Sequence, residues 1–215
     1  GFGPTPAVDE APSAEAIAQA LTEIGAEAIE LNPSISSVRL QKPLYIDLSA
    51  IAKGWAVDEL ADLLRQQGIT HFMIEVGGEV RTSGQKPDGK LWRIAIERPG
   101  AIPGERGVEL VIEPGESAVA TSGDYCNYFE EDGVRYSHTI DPTTGKPITH
   151  RLVSVTVIDS TSTRADGLAT AITVLGPIQG LKFAQEYNIA AYMLVKEDTG
   201  FAEQYSDAFK PYLTN

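Results

Sequence analysis

Apolar residues recur at helical spacing in four stretches of the chain. The first predicted helix begins after Ser13, a typical N-cap residue, and extends to about residue 28. Its apolar positions are Ile17, Leu21 and Ile24, which lie three or four residues apart and therefore share one face. Two further helices are predicted in the last third of the chain, at about residues 164–175 and 178–186.

The clearest helical pattern runs from about residue 51 to residue 67 and ends at Gly68, a typical helix stop. One stripe of this helix is apolar, which predicts that this stripe faces the core. The residues of the stripe are Val57, Leu60, Ala61 and Leu64.

Runs of β-branched and aromatic residues predict strands between these helices. They lie at residues 29–31, 38–40, 45–48, 72–76, 80–83, 91–96, 108–112, 118–122, 136–140, 152–158 and 190–195, and a polar tail follows. Strands outnumber helices and several are adjacent, which predicts an α+β fold with helices packed on antiparallel sheet. The strand-to-helix junction at 45–67 lacks a G-x-G-x-x-G sequence, so a Rossmann fold is excluded.

Composition and charge narrow the classes of function. The chain of 215 residues has 17 Lys and Arg against 30 Asp and Glu, a net charge of −13. This charge disfavours nonspecific binding to nucleic acid or anionic lipid. A polyanionic ligand such as a dinucleotide would need a cation, or a focused group of backbone N–H donors, to offset the repulsion.

Cysteine content and hydropathy add further limits. Cys126 is the only cysteine, which excludes an internal disulfide and a cysteine-based metal cluster. No apolar run approaches the ~18 to 20 residues that span a bilayer. Because the sequence does not begin with Met, we expect a processed product or a fragment from which any signal peptide or lipid-anchor cysteine has been removed.

The segment from Asp47 to Gly54 lies where a predicted strand meets the strongest helix. Backbone N–H groups in the first turn of a helix attract anions, and Lys53 adds a positive charge at the same end. This predicts an anion-binding position. The alternative is that Asp47 only caps the helix and that Lys53 is solvated.

Asp166 and Thr170 lie one turn apart near the start of the predicted helix 164–175, so a carboxylate and a hydroxyl share one face. Hard oxygen ligands of this kind suit Mg²⁺, which takes few protein ligands and retains waters and phosphate oxygens. The alternative is a capping box formed by Thr163 and Asp166, and the spacing alone favours that alternative.

His138 precedes a predicted turn that ends at Gly145. The sequence Asp-Pro-x-x-Gly from Asp141 is sufficient to explain that turn. His138 is one of three histidines and could carry a proton near neutral pH, although a single histidine is more often structural. A triad with Ser122 is disfavoured because the G-x-S-x-G pattern is absent and the close spacing of His138 and Asp141 is typical of a turn.

Five segments occur in a specific order along the chain. They are Asp47-Leu-Ser-Ala-Ile-Ala-Lys-Gly-Trp-Ala-Val-Asp58, Gly77-Gly78-Glu79, Thr121-Ser-Gly-Asp-Tyr125, His138-Thr-Ile-Asp-Pro-Thr-Thr-Gly145 and Ala165-Asp-Gly-Leu-Ala-Thr170. Together they resemble the ApbE-type flavin transferase family, and Val174-Leu-Gly-Pro177 is similar to the family as well. The resemblance extends over nearly the whole chain, although the first forty residues contribute little to it.

The resemblance implies an α+β fold related to the T-fold type, with residues 1–215 forming a single domain that is the C-terminal portion of the family fold. It implies an enzyme that binds FAD with Mg²⁺, transfers FMN to a Thr or Ser hydroxyl of a target protein and releases AMP. The implied target is a subunit of a membrane redox complex. The implied location is the periplasm, where a lipid-anchored N-terminus, since removed, would tether the full-length protein to the membrane.

The resemblance also implies which residues form the site. The metal ligands would be the Ala50 carbonyl oxygen, Asp166 and Thr170. Asp47 and Lys53 match family positions that line the FAD site.

Other matching positions surround that site. The backbone of Ile140 would contact FAD, and Gly77 and Gly78 would allow close approach of the backbone to the nucleotide. His138 would act as the general base, with Asp141 as the alternative proton acceptor.

Two departures from the family pattern affect this expectation. Gly167 follows Asp166 where Ala is common, and the family's N-terminal region, which holds part of the flavin pocket, is absent from the sequence. We therefore expect a metal site combined with an incomplete flavin site.

Two alternatives to the transferase are an FAD pyrophosphohydrolase and a non-catalytic periplasmic flavin-binding or carrier protein. The chain contains no Ser/Thr-Gly-Ala-Thr acceptor motif.

Overall fold

The structure is a computed structural model that describes residues 12–98, 107–123, 128–131 and 134–213. Its α-helices have recognisable boundaries: the side chains of Ser13 and Thr161 cap the starts of the first and third, and Gly68, at φ 77°, follows the end of the second. They are α1 (Ala14–Thr22), α2 (Ser49–Gln66) and α3 (Ser162–Glu186), with short 3-10 helices at Ala26–Ala28, Pro33–Ile35 and Asp207–Tyr212. Among the described residues, none of the helices has the length and apolar character needed to cross a bilayer.

The strands of the described residues all pair in antiparallel fashion. In chain order they are β1 (Ile29–Asn32), β2 (Ser37–Leu40), β3 (Phe72–Val76), β4 (Glu79–Ser83), β5 (Ile94–Arg98), β6 (Gly107–Ile112), β7 (Ala118–Gly123), β8 (Tyr128–Glu131), β9 (Val134–Ser137), β10 (Ile140–Asp141), β11 (Lys146–Pro147), β12 (Leu152–Asp159), β13 (Ala190–Lys196) and β14 (Phe201–Tyr205).

A six-stranded sheet forms the centre of the fold, in the order β14-β13-β12-β7-β4-β3. Most residues of β12 and β13 are buried, because both faces of these strands are covered. The remaining strands form two-stranded ribbons, β1–β2, β5–β6, β8–β9 and β10–β11. This arrangement confirms the α+β prediction of helices packed on antiparallel sheet.

Helices α2 and α3 cover one face of the sheet. The core on this side contains Val155 and Val157 of β12, Ile172 of α3 and Met193 of β13, all fully buried. Burying each such side chain contributes about 1.5–3 kcal/mol, so this interface fixes where α3 lies on the sheet.

The other face is covered by the β5–β6 ribbon and the C-terminal 3-10 helix. Phe209 of that helix is fully buried and its ring centroid lies 5.3 Å from that of Tyr192. Ile112 of β6 is also fully buried in this second core. The C-terminal segment, for which the sequence predicts only a polar tail, therefore helps to complete a layer of the fold.

Local patterns predicted several elements well. Helix α2 and the β3–β4 hairpin with its Gly77-Gly78 turn are confirmed, as are the strands at β1, β2, β6, β7, β12 and β13. The two predicted helices at 164–175 and 178–186 form the single element α3, which is kinked at Gly176, where φ is 75°, just before Pro177.

Four predictions of elements are wrong. Residues 45–48 form a loop, because no strand of the described residues pairs with them, and Tyr45 is 76% exposed. The first helix ends at Thr22 because Gly25, at φ 133°, is not helical. Leu60 is exposed and does not belong to the buried stripe of α2. The predicted polar tail instead forms β14, paired with β13, and a 3-10 helix.

Candidate functional site

Helices α2 and α3 meet at close range near their N-termini. A Cβ atom at Gly54 of α2 would lie 2.3 Å from the carbonyl oxygen of Ser162, so only glycine permits this approach. The contact brings the Gly54 N–H to within 2.9 Å of Asp166 Oδ2. Glycine at position 54 therefore determines that Asp166 faces α2.

Asp166 is a buried carboxylate, 4% exposed, on the first turns of α3. Its Oδ2 accepts the Gly54 N–H, whereas the one polar contact of its Oδ1 among the described residues is a long one, 3.4 Å to Lys53 Nζ. The capping box that the spacing favoured is wrong, because Thr161 is the N-cap of α3 and accepts the Arg164 N–H. Asp166 therefore has one oxygen available for a ligand.

Lys53 connects Asp166 to a second buried carboxylate. Its Nζ lies 2.6 Å from Oε1 of Glu79, which is 1% exposed at the start of β4. Glu79 Oε2 is buried and has no hydrogen-bond partner among the described residues. Burial raises the pKa of the Glu79 carboxyl, and the hydrogen bond and charge of Lys53 only partly offset this effect. The cluster of Lys53, Glu79 and Asp166 holds two carboxylates and one ammonium.

The Gly77-Gly78 turn lies next to this cluster. Gly77 has φ 62°, and a Cβ there would lie 3.0 Å from Lys53 Cδ and 3.7 Å from Glu79 Oε2. Gly78 has φ 101°, and a Cβ there would meet nothing within 4 Å. Position 77 therefore accommodates the stem of Lys53, while position 78 is open on its outer side.

Asp58 joins the three elements that carry the cluster. From α2 it accepts the N–H groups of Ser162 and Thr163 at 2.9 and 2.8 Å, together with the Thr163 hydroxyl at 2.7 Å. It also forms an ion pair with Arg81 of β4. Asp58 ends a motif of the sequence that predicts no role for it, and its contacts indicate that it fixes α2, α3 and β4 together.

Asp47, Ala50 and Thr170 lie around the same helix ends. Asp47 is exposed and accepts the N–H and hydroxyl of Ser49, which lower its pKa, so the geometry supports the capping interpretation. Ala50 is exposed in the first turn of α2, and Thr170 is half-buried one turn after Asp166 on α3.

The segment from His138 to Asp141 lies partly beside α3. Asp141 Oδ1 accepts the N–H and hydroxyl of Thr143 at 2.8 and 2.7 Å, and these bonds lower its pKa. This supports the turn interpretation and makes Asp141 a weak proton acceptor. His138 is half-buried, and Ile140 is exposed at the start of β10.

The Thr121–Tyr125 motif is only partly described. Thr121 lies in β7 and its hydroxyl is 2.8 Å from the Thr156 hydroxyl on β12, while Asp124 and Tyr125 lie outside the described residues. Ser122 pairs with Val155 in the sheet. The bonds of Asp141 to its own turn give no support to a triad with Ser122.

The donor set around Asp166 is compatible with a hard cation. Within the described ranges, no group of three or more His, Cys, Asp or Glu side chains is arranged to hold a metal ion. Mg²⁺ does not need such a group, because it binds through one or two carboxylates and takes its other ligands from water and phosphate oxygens. The incompletely paired Oδ1 of Asp166, in a cluster with an excess of one carboxylate, meets that requirement.

Comparisons with known proteins agree in pointing to one family. The model of the ApbE family matches residues 1–193. The chain is 50% identical over 214 residues to the FAD:protein FMN transferase of Vibrio cholerae, covering 100% of this chain and 63% of that protein. It is 44% identical over 213 residues to the protein of the same name from Haemophilus influenzae, covering 98% of this chain and 61% of that protein.

Solved structures are similar over almost the whole chain. The flavin transferase ApbE from Vibrio cholerae matches with a TM-score of 0.87 and 47% identity, covering 99% of this chain and 67% of that one. The apo form of Pseudomonas stutzeri flavinyl transferase ApbE matches with a TM-score of 0.87 and 42% identity, covering 99% and 65%. The chain thus spans 61% to 63% of the length of the two curated relatives.

Proposed function

Because this chain belongs to the ApbE family, we propose that it carries the cation- and pyrophosphate-binding part of an FAD:protein FMN transferase. The observation that carries the proposal is the cluster at the crossing of α2 and α3. There, buried Asp166 keeps one oxygen available beside the ammonium of Lys53. We also propose that residues 1–215 form one domain.

Asp166, Thr170 and the Ala50 carbonyl oxygen would hold Mg²⁺. All three are hard oxygen donors near the starts of α2 and α3, as this ion requires. The chemistry supplied by the bound ion is neutralisation of charge on the diphosphate and on the AMP leaving group. Gly54 contributes by fixing Oδ2 of Asp166, which leaves Oδ1 to face the ligand.

Lys53 and the N-terminus of α2 would bind phosphate oxygens of FAD. An ammonium and the N–H groups of a helix's first turn both favour anions. Asp47 would hold this turn in place through Ser49, and the open side of Gly78, together with the backbone of Ile140, would line the nucleotide.

His138 would accept the proton of the acceptor hydroxyl. The hydroxyl oxygen forms the new bond to the FMN phosphorus, the bond to the AMP oxygen breaks, and AMP leaves. General-base catalysis of this kind contributes about 10²- to 10⁴-fold. Asp141 is the weaker candidate because Thr143 already occupies its carboxylate and lowers its pKa.

The name of the relatives, FAD:protein FMN transferase, supports a protein as the acceptor. That the acceptor group is the hydroxyl of a Thr or Ser we propose from the family resemblance. That the acceptor is a subunit of a membrane redox complex, and that the enzyme is a periplasmic lipoprotein, we propose from the family resemblance.

The test is an assay with FAD, Mg²⁺ and an acceptor domain bearing the target Thr, reading AMP release and acceptor mass together. The Vibrio cholerae relative serves as the positive control. AMP with a flavin-modified acceptor supports the transferase, whereas AMP with free FMN and an unmodified acceptor indicates a hydrolase. Binding of FAD without AMP would leave a flavin carrier.

The metal assignment is tested with Asp166→Asn, which keeps an acceptor for the Gly54 N–H but removes the charge. We expect Mg²⁺-dependent turnover of Asp166→Asn to fall about 10²- to 10³-fold, the loss typical when one preorganised electrostatic group is removed from a site. Glu75→Gln is the matched control, because Glu75 is exposed on β3. Equal Mg²⁺-dependent turnover in Asp166→Asn and the control would refute the metal assignment.

A further inference from the structure

Glu79 is a buried acidic residue whose position does not favour folding. Its carboxylate is 1% exposed, and Oε2 has no hydrogen-bond partner among the described residues. A buried charge that is incompletely bonded opposes folding, and apolar residues of similar volume are often more stable in such places. Buried polar groups without a full set of hydrogen bonds are rare, and perturbed carboxyl groups cluster at functional sites, so Glu79 calls for a functional explanation.

The contacts of Lys53 answer this question. Its ammonium has three N–H donors. The contact to Glu79 Oε1 is 2.6 Å, while the contact to Asp166 Oδ1 is 3.4 Å, so Glu79 is the main partner. The Lys53 side chain remains 46% exposed, and its two carboxylate contacts use two of the three N–H donors, so one donor can still serve a ligand.

The hairpin that carries Glu79 also provides the space for Lys53. A Cβ at Gly77 would lie 3.0 Å from Lys53 Cδ, so the turn that precedes Glu79 is shaped around the lysine stem. The turn and the first residue of β4 thus act together on one side chain.

We propose that Glu79 is a positioning residue that holds the Lys53 ammonium at the edge of the site, where it can bind a phosphate oxygen of FAD; the inference rests on the proposed function. Among the described residues, the side-chain hydrogen bond of Glu79 is the one from Lys53, and Asp166 Oδ1, 3.4 Å from Lys53 Nζ, can still serve the cation. With Glu79 removed, Lys53 keeps its charge but loses its fixed position.

The first measurement needs no flavin. Glu79→Gln and the control Glu75→Gln are acetylated under limiting reagent, and modification of each lysine is quantified by peptide mass spectrometry. Because a strong hydrogen bond to Lys53 Nζ is weakened, we expect Lys53 in Glu79→Gln to react several-fold faster, with Lys90 and Lys146 unchanged. Lys53 reactivity equal to that of the wild type would overturn the proposal, whatever the activity of the protein.

Thermal unfolding separates positioning from a structural role. Glu79→Gln removes a buried charge, and the ammonium left behind is not buried, because the Lys53 side chain is 46% exposed. The melting temperature of Glu79→Gln should therefore equal or exceed that of the wild type. A large fall in melting temperature, with all lysines more reactive, would show that Glu79 acts through the fold and would overturn the proposal.

The last measurement is a double-mutant cycle with Lys53→Met. We expect Glu79→Gln to raise the KM for FAD about tenfold, the effect of one charged hydrogen bond, with a smaller change in kcat. In the Lys53→Met background the same substitution should change KM less than about twofold. An equal effect in both backgrounds would overturn the proposal. If the wild type is inactive, the proposed function fails while the lysine reactivity still decides the role of Glu79.

Discussion

Replacing Asp58 with Ala should separate the helices that carry the site. The carboxylate accepts two backbone N–H groups and one hydroxyl from Ser162 and Thr163. It also pairs with Arg81, and the two side chains are 14% and 12% exposed. Water can therefore replace only part of what the substitution removes.

The magnitude follows from these contacts. Removing one partner of a buried ion pair costs about 3–5 kcal/mol, and hydrogen bonds to charged groups contribute about 1.5–3 kcal/mol each without being additive. Because the pair is slightly exposed, we take the lower limit, about 3 kcal/mol. In a domain of this size each 1 kcal/mol lowers Tm by about 2–4 °C, so Tm should fall by about 6–12 °C.

The pH dependence identifies the charge as the cause. Partial burial acts to raise the pKa of Asp58, but the hydrogen bonds from Thr163, Ser162 and Arg81 outweigh it and the pKa lies below its usual value. Such a group stabilises the fold above its unfolded pKa, about 3.9, and loses this contribution as pH falls through the folded pKa. The Tm difference between wild type and Asp58→Asn should therefore be largest near neutral pH and shrink below about pH 4.

The assay is thermal and urea unfolding of Asp58→Ala, Asp58→Asn and a control, Asp62→Ala. Asp62 lies on the same helix and makes an exposed ion pair with Arg65 at 3.1 Å. Such a pair contributes about 0.2–1 kcal/mol, so the control should be nearly neutral. A loss in Asp58→Ala no greater than that in Asp62→Ala would refute the reasoning.

Three further substitutions test the layers around the site. Gly54→Ala should lower the free energy of unfolding by about 1–3 kcal/mol or more and weaken the site, because the new Cβ would meet the Ser162 carbonyl oxygen. A free energy of unfolding in urea equal to that of the wild type would contradict this. His138→Ala should lower flavin transfer about 10²- to 10⁴-fold at neutral pH, and full transfer in the AMP assay would exclude it as the base. Phe209→Ala should cost about 3–5 kcal/mol in calorimetry, because it opens a cavity beside Tyr192; a loss below 1 kcal/mol would contradict this.

Elements with strong local signals could be predicted from the sequence. Helix α2 and the β3–β4 hairpin depend on periodicity and turn residues that lie within a few positions of each other. Residues 45–48 and β14 were misassigned for one reason. A short apolar run becomes a strand only when another strand pairs with it, and that partner is set by the tertiary fold.

The site shows the same limit. Motif resemblance located Asp166 and Lys53, yet local spacing favoured a capping box that Thr161 in fact replaces. Glu79 lies 26 positions from Lys53, and Lys53 lies 113 positions from Asp166, so no local pattern connects them. The sequence does hold one signal for Glu79. It is an acidic residue at the first position of a strand, directly after a Gly-Gly turn, where an apolar residue would be expected.

The negative net charge of the chain does not prevent an anion from binding at the site, because most of the charged residues lie too far away to act there. A net charge of −13 would repel a dinucleotide if all charges acted equally at the site. At physiological ionic strength, salt screens the interaction between exposed charges that are more than about 8 Å apart, whereas partly buried charges are screened less. At the crossing of α2 and α3 the relevant charges are Asp166, Glu79 and Lys53. Because Glu79 is matched by Lys53, the unmatched charge is that of Asp166, and a divalent cation there would make the local field positive toward a pyrophosphate. The acidic surface and an anionic substrate are therefore compatible.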